Sequence, residues 1–181
     1  EMCIRDRRSQ VQRRLPGVGF EEVHLGSEGV TLTGVRVDRG WLQGDLDRVT
    51  SDFHGEHVAA TGGTLRLDLD ARPREGGEGG HRDIQFRGLR LLLSRHGYRV
   101  TIEGAWSEGS RVCFESARLE QPAVTVGKGC VERDGTEVRV EEAKTDVVEF
   151  KGVKVDGVVA REVVLRPKER SATVGQALAH L

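Results

Sequence analysis

The sequence predicts an all-β protein: an extended, curved, mostly antiparallel sheet of about ten to twelve short strands with glycine bulges, either an open trough or folded on itself. Three observations lead there. One pattern, apolar-x-apolar-x-Gly-apolar-polar-apolar, occurs at residues 30–37, 84–91 and 148–155. Clean alternation recurs elsewhere, as where Leu65, Leu67 and Leu69 are interleaved with Arg66, Asp68 and Asp70. The composition is rich in Val and Leu, with 24 glycines, 4 prolines and only 4% aromatic residues, which suits many short strands joined by tight turns.

The repeated pattern has a physical reading. Alternation of period two marks a strand with one buried face. In the first copy the apolar residues are Val30 and Leu32 before Gly34, then Val35 and Val37 after it, so the parity changes at the glycine. A regular strand would throw its second half onto the other face. One extra residue at the glycine, a β-bulge, returns both halves to one face and bends the strand. Gly88 and Gly152 hold the same place in the other two copies.

In chain order, residues 18–25 form a short strand after the Pro16-Gly17 turn, and the first bent strand follows at 30–37. Residues 41–53 are read as a strand although Leu42, Leu46, Val49 and Phe53 also fit helical spacing, because Gly44 and Val49-Thr50 disfavour a helix. Residues 57–60 and 64–70 are strands, separated by Gly62-Gly63, and 71–81 is a Gly-rich charged loop. The second bent strand turns at His96-Gly97 into 98–106, and strands follow at 111–119 and 123–126. Asp134-Gly135 signals a type I′ hairpin between Val131 and Val138. The third bent strand occupies 147–155, and Asp156-Gly157 signals another hairpin into 158–165. Beyond Pro167, Ser171 is placed to cap a short C-terminal helix through Ala177 to Leu181. The expected organisation is a tail at 1–17, a single β-rich domain at 18–166, a fragment of a longer repetitive protein, and a C-terminal tail or short helix at 167–181. Residues 1–8 resemble translated sequencing-adapter read-through and are set aside.

Lys+Arg 28 against Asp+Glu 29 gives a net charge of −1, with the signs interspersed, so no nucleic-acid footprint is expected. No phosphate loop and no nucleophile elbow is visible, and no enzyme activity or cofactor is expected. His54 and His57 are the only close histidine pair, with His24 or Glu56 as conceivable further ligands; solvent-facing histidines explain them more simply. Asp45 with Asp47, and Asp68 with Asp70, read as the polar face of half-buried strands rather than a glycosidase pair. Cys113 and Cys130 can pair in an oxidising compartment, while a buried free thiol is the default for Cys113. Arg36, Arg87, Arg90, Lys151 and Lys154 flank the three glycines, either as a ladder for lipid headgroups or as charges that keep edges from aggregating.

An apolar face with almost no helix to cover it must close on itself, pair with further protein, or hold lipid. Residues 29–37 (GVTLTGVRV), 117–126 (ARLEQPAVTV) and 148–158 (VEFKGVKVDGV) resemble the AsmA/TamB-like envelope proteins of Gram-negative bacteria. The likeness covers most of 18–166, is one of style without a diagnostic motif, and departs from the family in showing no N-terminal anchor. It implies a non-enzymatic, periplasmic or cell-envelope segment that handles phospholipid acyl chains in a hydrophobic β-groove, with the rest of the same polypeptide as a further partner. The lining would then be Val30, Leu32, Val35, Val37, Ile84, Phe86, Leu89, Leu91, Val148, Phe150, Val153 and Val155, which otherwise are simply core. The alternatives are an extracellular or periplasmic structural module with a closed core, and a carbohydrate-binding β-fold using Trp41, Trp106 and Tyr98.

Overall fold

The computed structural model describes residues 16–73, 83–121, 123–150 and 152–180, with the side chains of 147–150, 153, 155, 156 and 180 excepted. Residues 1–8, and most of the 71–81 loop, lie outside them. The protein is all-β, its strands forming mixed but mostly antiparallel sheet. By contact density the chain divides into two compact units, residues 1–92 and 93–181.

The first unit contains β1 (Val18–Gly19), β2 (Glu22–Leu25), β3 (Gly29–Asp38), β4 (Leu42–Asp52), β5 (His57–Asp68) and most of β6 (Asp83–Arg95). β1 and β2 are two pieces of one edge strand, both pairing antiparallel with β3 in a single register. β3, β4 and β5 follow as an antiparallel meander. β6 lies next to β5, and the amide of Asp83 donates to the carbonyl of Glu56 at 2.8 Å. That bond joins the beginnings of the two strands, so they run parallel, and a long crossover is required between them.

The second unit contains β7 (Tyr98–Glu108), β8 (Arg111–Phe114), β9 (Ser116–Leu119), β10 (Val124–Val126), β11 (Gly129–Glu132), β12 (Val138–Phe150), β13 (Val153–Arg166) and β14 (Ser171–His180). β8 and β9 behave as one strand broken at Glu115, since both pair with β7 in one register. β10 and β11 likewise form one broken strand against β12. β12, β13 and β14 complete an antiparallel meander whose outermost member is β14.

Several details differ from the sequence reading. Fourteen strands are present among the described residues, more than the ten to twelve expected, because three strands are interrupted and the C-terminal segment is a strand. Residues 171–180 are strand, not helix: a 3-10 turn at Pro167–Glu169 and a left-handed Arg170 (φ 52°) reverse the chain, and β13 then supplies the hydrogen-bond ladder that β14 completes. Val174, Thr173 and Gly175 are poor helix formers, so this ladder outweighs the cap at Ser171. The third bent strand is a hairpin. Phe150 pairs with Val153 and Val148 with Val155, with Gly152 at φ 80° in the turn before Val153. The hairpin expected at Asp156-Gly157 is instead a β-bulge inside β13, with Gly157 at φ 70°. Positive φ is what both places need, and glycine supplies it for a turn or a bulge alike. The Asp134-Gly135 connection is longer than a two-residue turn: the Glu132 amide bonds the Glu137 carbonyl at 2.9 Å, and the Asp134 carboxylate accepts from the amide and hydroxyl of Thr136.

Candidate functional site

The feature that organises both units is a crease shared by neighbouring strands. At Gly34 the backbone does turn left-handed, at φ 56°, and Leu32 and Val35 on either side are both buried. The β3–β4 register nevertheless passes through without a shift, pairing Leu32 with Val49 and Val35 with Leu46. An isolated bulge would set two residues against one. Here the neighbour changes phase at the same level, because Leu46 and Val49 are also apolar residues three apart. β5 repeats the step with Ala60 and Gly63, and the edge strand with Phe20 and Val23.

The second unit follows the same rule. Its flanking pairs are Ile102/Ala105, Phe114/Ala117, Val126/Gly129, Val140/Ala143, Ala160/Val163 and Val174/Ala177. The ladder brings them together in two rows: Ile102 opposite Ala117, Ala117 opposite Val126, Val126 opposite Ala143, Ala143 opposite Ala160, and Ala160 opposite Ala177. On the other side of the crease Phe114 faces Gly129, Gly129 faces Val140, Val140 faces Val163, and Val163 faces Val174. Phe114, Ala117, Val140 and Val163 form a buried cluster that draws in residues from both arms of the crease.

Between each pair of flanks sit two residues that are polar or glycine, among them Asp47-Arg48, Glu115-Ser116, Glu141-Glu142 and Arg161-Glu162. Half of the flanks are buried and most of the rest half-buried, with Val174 and Ala177 exposed, while the middle residues are mostly exposed, so the polar side is the outside of the fold line. Of the eleven apolar side chains buried among the described residues, all but Cys113 are crease flanks, which makes the crease the core. Glycine is needed where the middle residue must take positive φ: Gly34, Gly62, Gly88 and Gly104 do so, at 56° to 68°. Glu162 does it without glycine, at φ 54°. On the polar side of the crease, ion pairs tie residues within and between neighbouring strands. Glu142 meets Lys144 at 2.7 Å and Arg161 at 3.1 Å, and these contacts, with Lys144 the stronger, hold its carboxyl below the usual range.

The residues expected to line a groove divide unevenly. Leu32, Val35 and Leu89 are buried, Val30, Val37, Phe86 and Leu91 are half-buried, and Ile84 is 49% exposed. Val148, Phe150, Val153 and Val155 belong to the hairpin strands, and their side chains lie outside the described residues. Beyond the flanks the same alternation continues outward to Leu25 and Ile84 in the first unit and to Tyr98 and Leu165 in the second, which remain 40% to 57% exposed, and the flank Val174 is itself 44% exposed. Nine pairs of crease flanks went unnoticed in the sequence, where only glycine was followed. The signal that would have found them is apolar-polar-(polar or Gly)-apolar, recurring at intervals of 12 to 26 residues from Phe20 to Ala177.

The chemistry-bearing residues fall elsewhere. Cys113, fully buried, faces Cys130 across β8 and β11 and is bonded to it, so the free-thiol reading gives way to a disulfide. Asp52, Glu56 and His57 gather at the turn into β5, but the Asp52 carboxylate is already spent on the turn, accepting from the amides of Glu56 at 2.9 Å and His57 at 3.3 Å. Partial desolvation pushes that carboxyl up, and the amide bonds together with the nearby His57 imidazole more than offset it, leaving it below the usual range. Imidazole Nδ1 of His57 stands 3.6 Å from Asp83. These groups border an open hollow of about 580 Å³ lined also by Val30, Ser51 and Val58. His24 and His54 are exposed and distinct from that turn's carboxylate contacts. Asp45 pairs with Arg36 at 3.3 Å on the solvent face, and Asp68 accepts from the amides of Asp70 and Ala71. Trp41 and Trp106 each carry a cation over the ring, Arg72 and Lys128, at 5.7 and 5.9 Å. No helix among the described residues is long and apolar enough to cross a membrane. No protein-family model matches the chain, and no curated protein matches it.

Proposed function

We propose that the chain is a non-enzymatic segment of a cell-envelope protein that handles phospholipid acyl chains along the apolar side of its creased strands. The observation that carries this reading is the exposure of the apolar side beyond the crease. In the second unit Leu165 on β13 and Val174 on the adjacent β14 share the apolar face yet remain 40% and 44% exposed. A sealed core would cover them, and exposed apolar residues on neighbouring strands are the kind of surface that marks a binding site. An acyl chain needs only a continuous apolar track without polar anchors, and strand-to-strand rows supply one. The Cys113–Cys130 bond supports an oxidising compartment such as the periplasm.

The test is to express the chain in a bacterial periplasm, purify it without detergent, and extract bound lipid for mass spectrometry. About one phospholipid per chain is expected, on the scale of one drug-sized apolar site. The double variant Leu165→Asp/Val174→Asp, at exposed positions of the second unit, should keep the β-sheet circular dichroism and lose the lipid. A folded wild-type chain that carries no lipid, and takes none up from vesicles, would sink the reading. It would favour the second one, a structural β-module closed around Phe114, Ala117, Val140 and Val163.

A further inference from the structure

We infer that the turn from β4 into β5, together with the start of β6, is a binding site for a divalent transition-metal ion of the Zn²⁺ type, with Asp52, Glu56, His57 and Asp83 as its ligands. The fold of the first unit assembles the set. Asp52 ends β4 and His57 opens β5, with Glu56 just before it. The Asp83 amide donates to the Glu56 carbonyl at 2.8 Å, which brings the start of β6 alongside. Asp52, Glu56 and His57 each offer one ligand atom, and those atoms all lie within 4.8 Å of one another. Asp83 adds a fourth, its Oδ2 standing 3.6 Å from Nδ1 of His57. That spacing is too long for a hydrogen bond. It suits two ligands of one tetrahedral ion, which metal–ligand bonds of about 2.0–2.2 Å hold roughly 3.4 Å apart.

The surrounding charge is the second observation. Carboxylates elsewhere face basic side chains: Asp45 meets Arg36, Glu132 meets Arg111, and Glu142 meets Lys144 and Arg161. The hollow of about 580 Å³ beside this turn is different. Glu28, Asp52 and Asp83 line it, and no Lys or Arg stands among its described lining residues. Carboxylates gathered beside one imidazole repel one another, and a divalent cation turns that repulsion into attraction. The imidazole selects the cation: nitrogen suits Zn²⁺ and its neighbours, whereas Ca²⁺ and Mg²⁺ take oxygen ligands. Asp52 is the preorganised member. The amides of Glu56 and His57 take one lone pair from each of its oxygens, at 2.9 and 3.3 Å, and leave the other for a metal. They orient the carboxylate as the outer-shell donors of a metal site do. The open hollow gives the ion its entry path.

The experiment is calorimetric titration of Zn²⁺ alone into the full, disulfide-intact chain, in buffer free of chelators. Saturable binding of one ion at this site is expected. His57→Ala and Asp83→Asn, both at exposed positions, should each weaken it at least about tenfold with the β-sheet circular dichroism unchanged. His96→Gln, an exposed histidine away from the turn, should leave it as it was. A dissociation constant weaker than about 1 mM overturns the inference, as does binding indifferent to both His57→Ala and Asp83→Asn. So does displacement of Zn²⁺ by an equal concentration of Ca²⁺, since the imidazole would then not be a ligand. Should a variant fail to fold, the absorption spectrum of the wild-type chain with Co²⁺ decides. The intense visible bands of a tetrahedral nitrogen–oxygen site, without a thiolate charge-transfer band, are expected; the pale spectrum of hydrated octahedral Co²⁺, or a thiolate band, overturns the proposal.

Discussion

The two units crease their strands by different means. In the first, glycine with positive φ stands at the fold line in three strands, at Gly34, Gly62 and Gly88, and Asp47 between the first two keeps an ordinary backbone. In the second, only Gly104 plays that part; Glu162 takes φ 54° as a non-glycine residue, and Glu115, Lys128 and Glu141 cross the line with φ negative. Glycine is therefore not what creases the strand. The cause is two polar positions in succession inside an alternating pattern, which leaves the strand either one misplaced half or a change of phase. Burial of the flanks selects the change of phase. Glycine only lowers its backbone cost, and the second unit, with a single such glycine, adds an ion pair between neighbouring strands at the crease and a disulfide within one arm.

That difference can be broken most sharply at Gly63. Its φ is 110°, and a side chain there would overlap the carbonyl of Asp45. Gly63→Val should cost about 4 kcal/mol in urea melts, from backbone strain and overpacking together. Gly175→Ala at the crease of β14 should cost under about 1 kcal/mol, since φ is ordinary there and the nearest obstacle is the flexible Glu162 side chain. Equal losses at the two sites would show that both creases depend on glycine. Next in size is the staple. Cys113→Ser/Cys130→Ser opens a bond spanning 17 residues and should lower stability by about 3 kcal/mol. The loss should appear as earlier hydrogen exchange in β7–β14, with β3–β5 unaffected. The smallest effect is expected at Glu162. Glu162→Gly relieves the left-handed strain and should raise the melting midpoint by the equivalent of roughly 0.5–1 kcal/mol. A drop instead would mean that the Glu162 side chain, which covers Gly175, contributes more than its backbone costs.

Much of this was legible in the sequence. The all-β class follows from alternation that needs no tertiary help, as in residues 64–68 of β5. The parity change points to Gly34 and Gly88, which do turn left-handed, but the β-bulge it predicts is absent at Gly34, where β3 and β4 pair without a register shift. What misled was treating the glycine as the signal. Gly152 shares the pattern and is a hairpin turn; Gly157 looks like a hairpin turn and is a bulge. Both have positive φ, and only the partner strand decides which structure uses it. Pairing is a long-range fact that local propensity does not contain. The same reason hid β14. Residues 171–180 have a capping serine and several alanines, and only β13 alongside makes them a strand. The crease positions Glu115, Glu141 and Glu162 are exposed and carry no glycine, so nothing local in the sequence sets them apart from ordinary solvent-facing charges.

The shared crease has one more consequence, for how the chain finds its register. An ordinary alternating strand that slips by two residues keeps every apolar side chain on the correct face, so such an error is cheap and can persist as a trap. A strand with a phase change in its middle has no such freedom. Slipping β12 by two against β13 would set Val140 opposite Arg161, with part of each strand on the wrong face. The crease thus acts as a notch that admits one alignment per pair of strands. Loop lengths between strands can then drift, as the spacings of 12 to 26 residues suggest, without loss of the alignment.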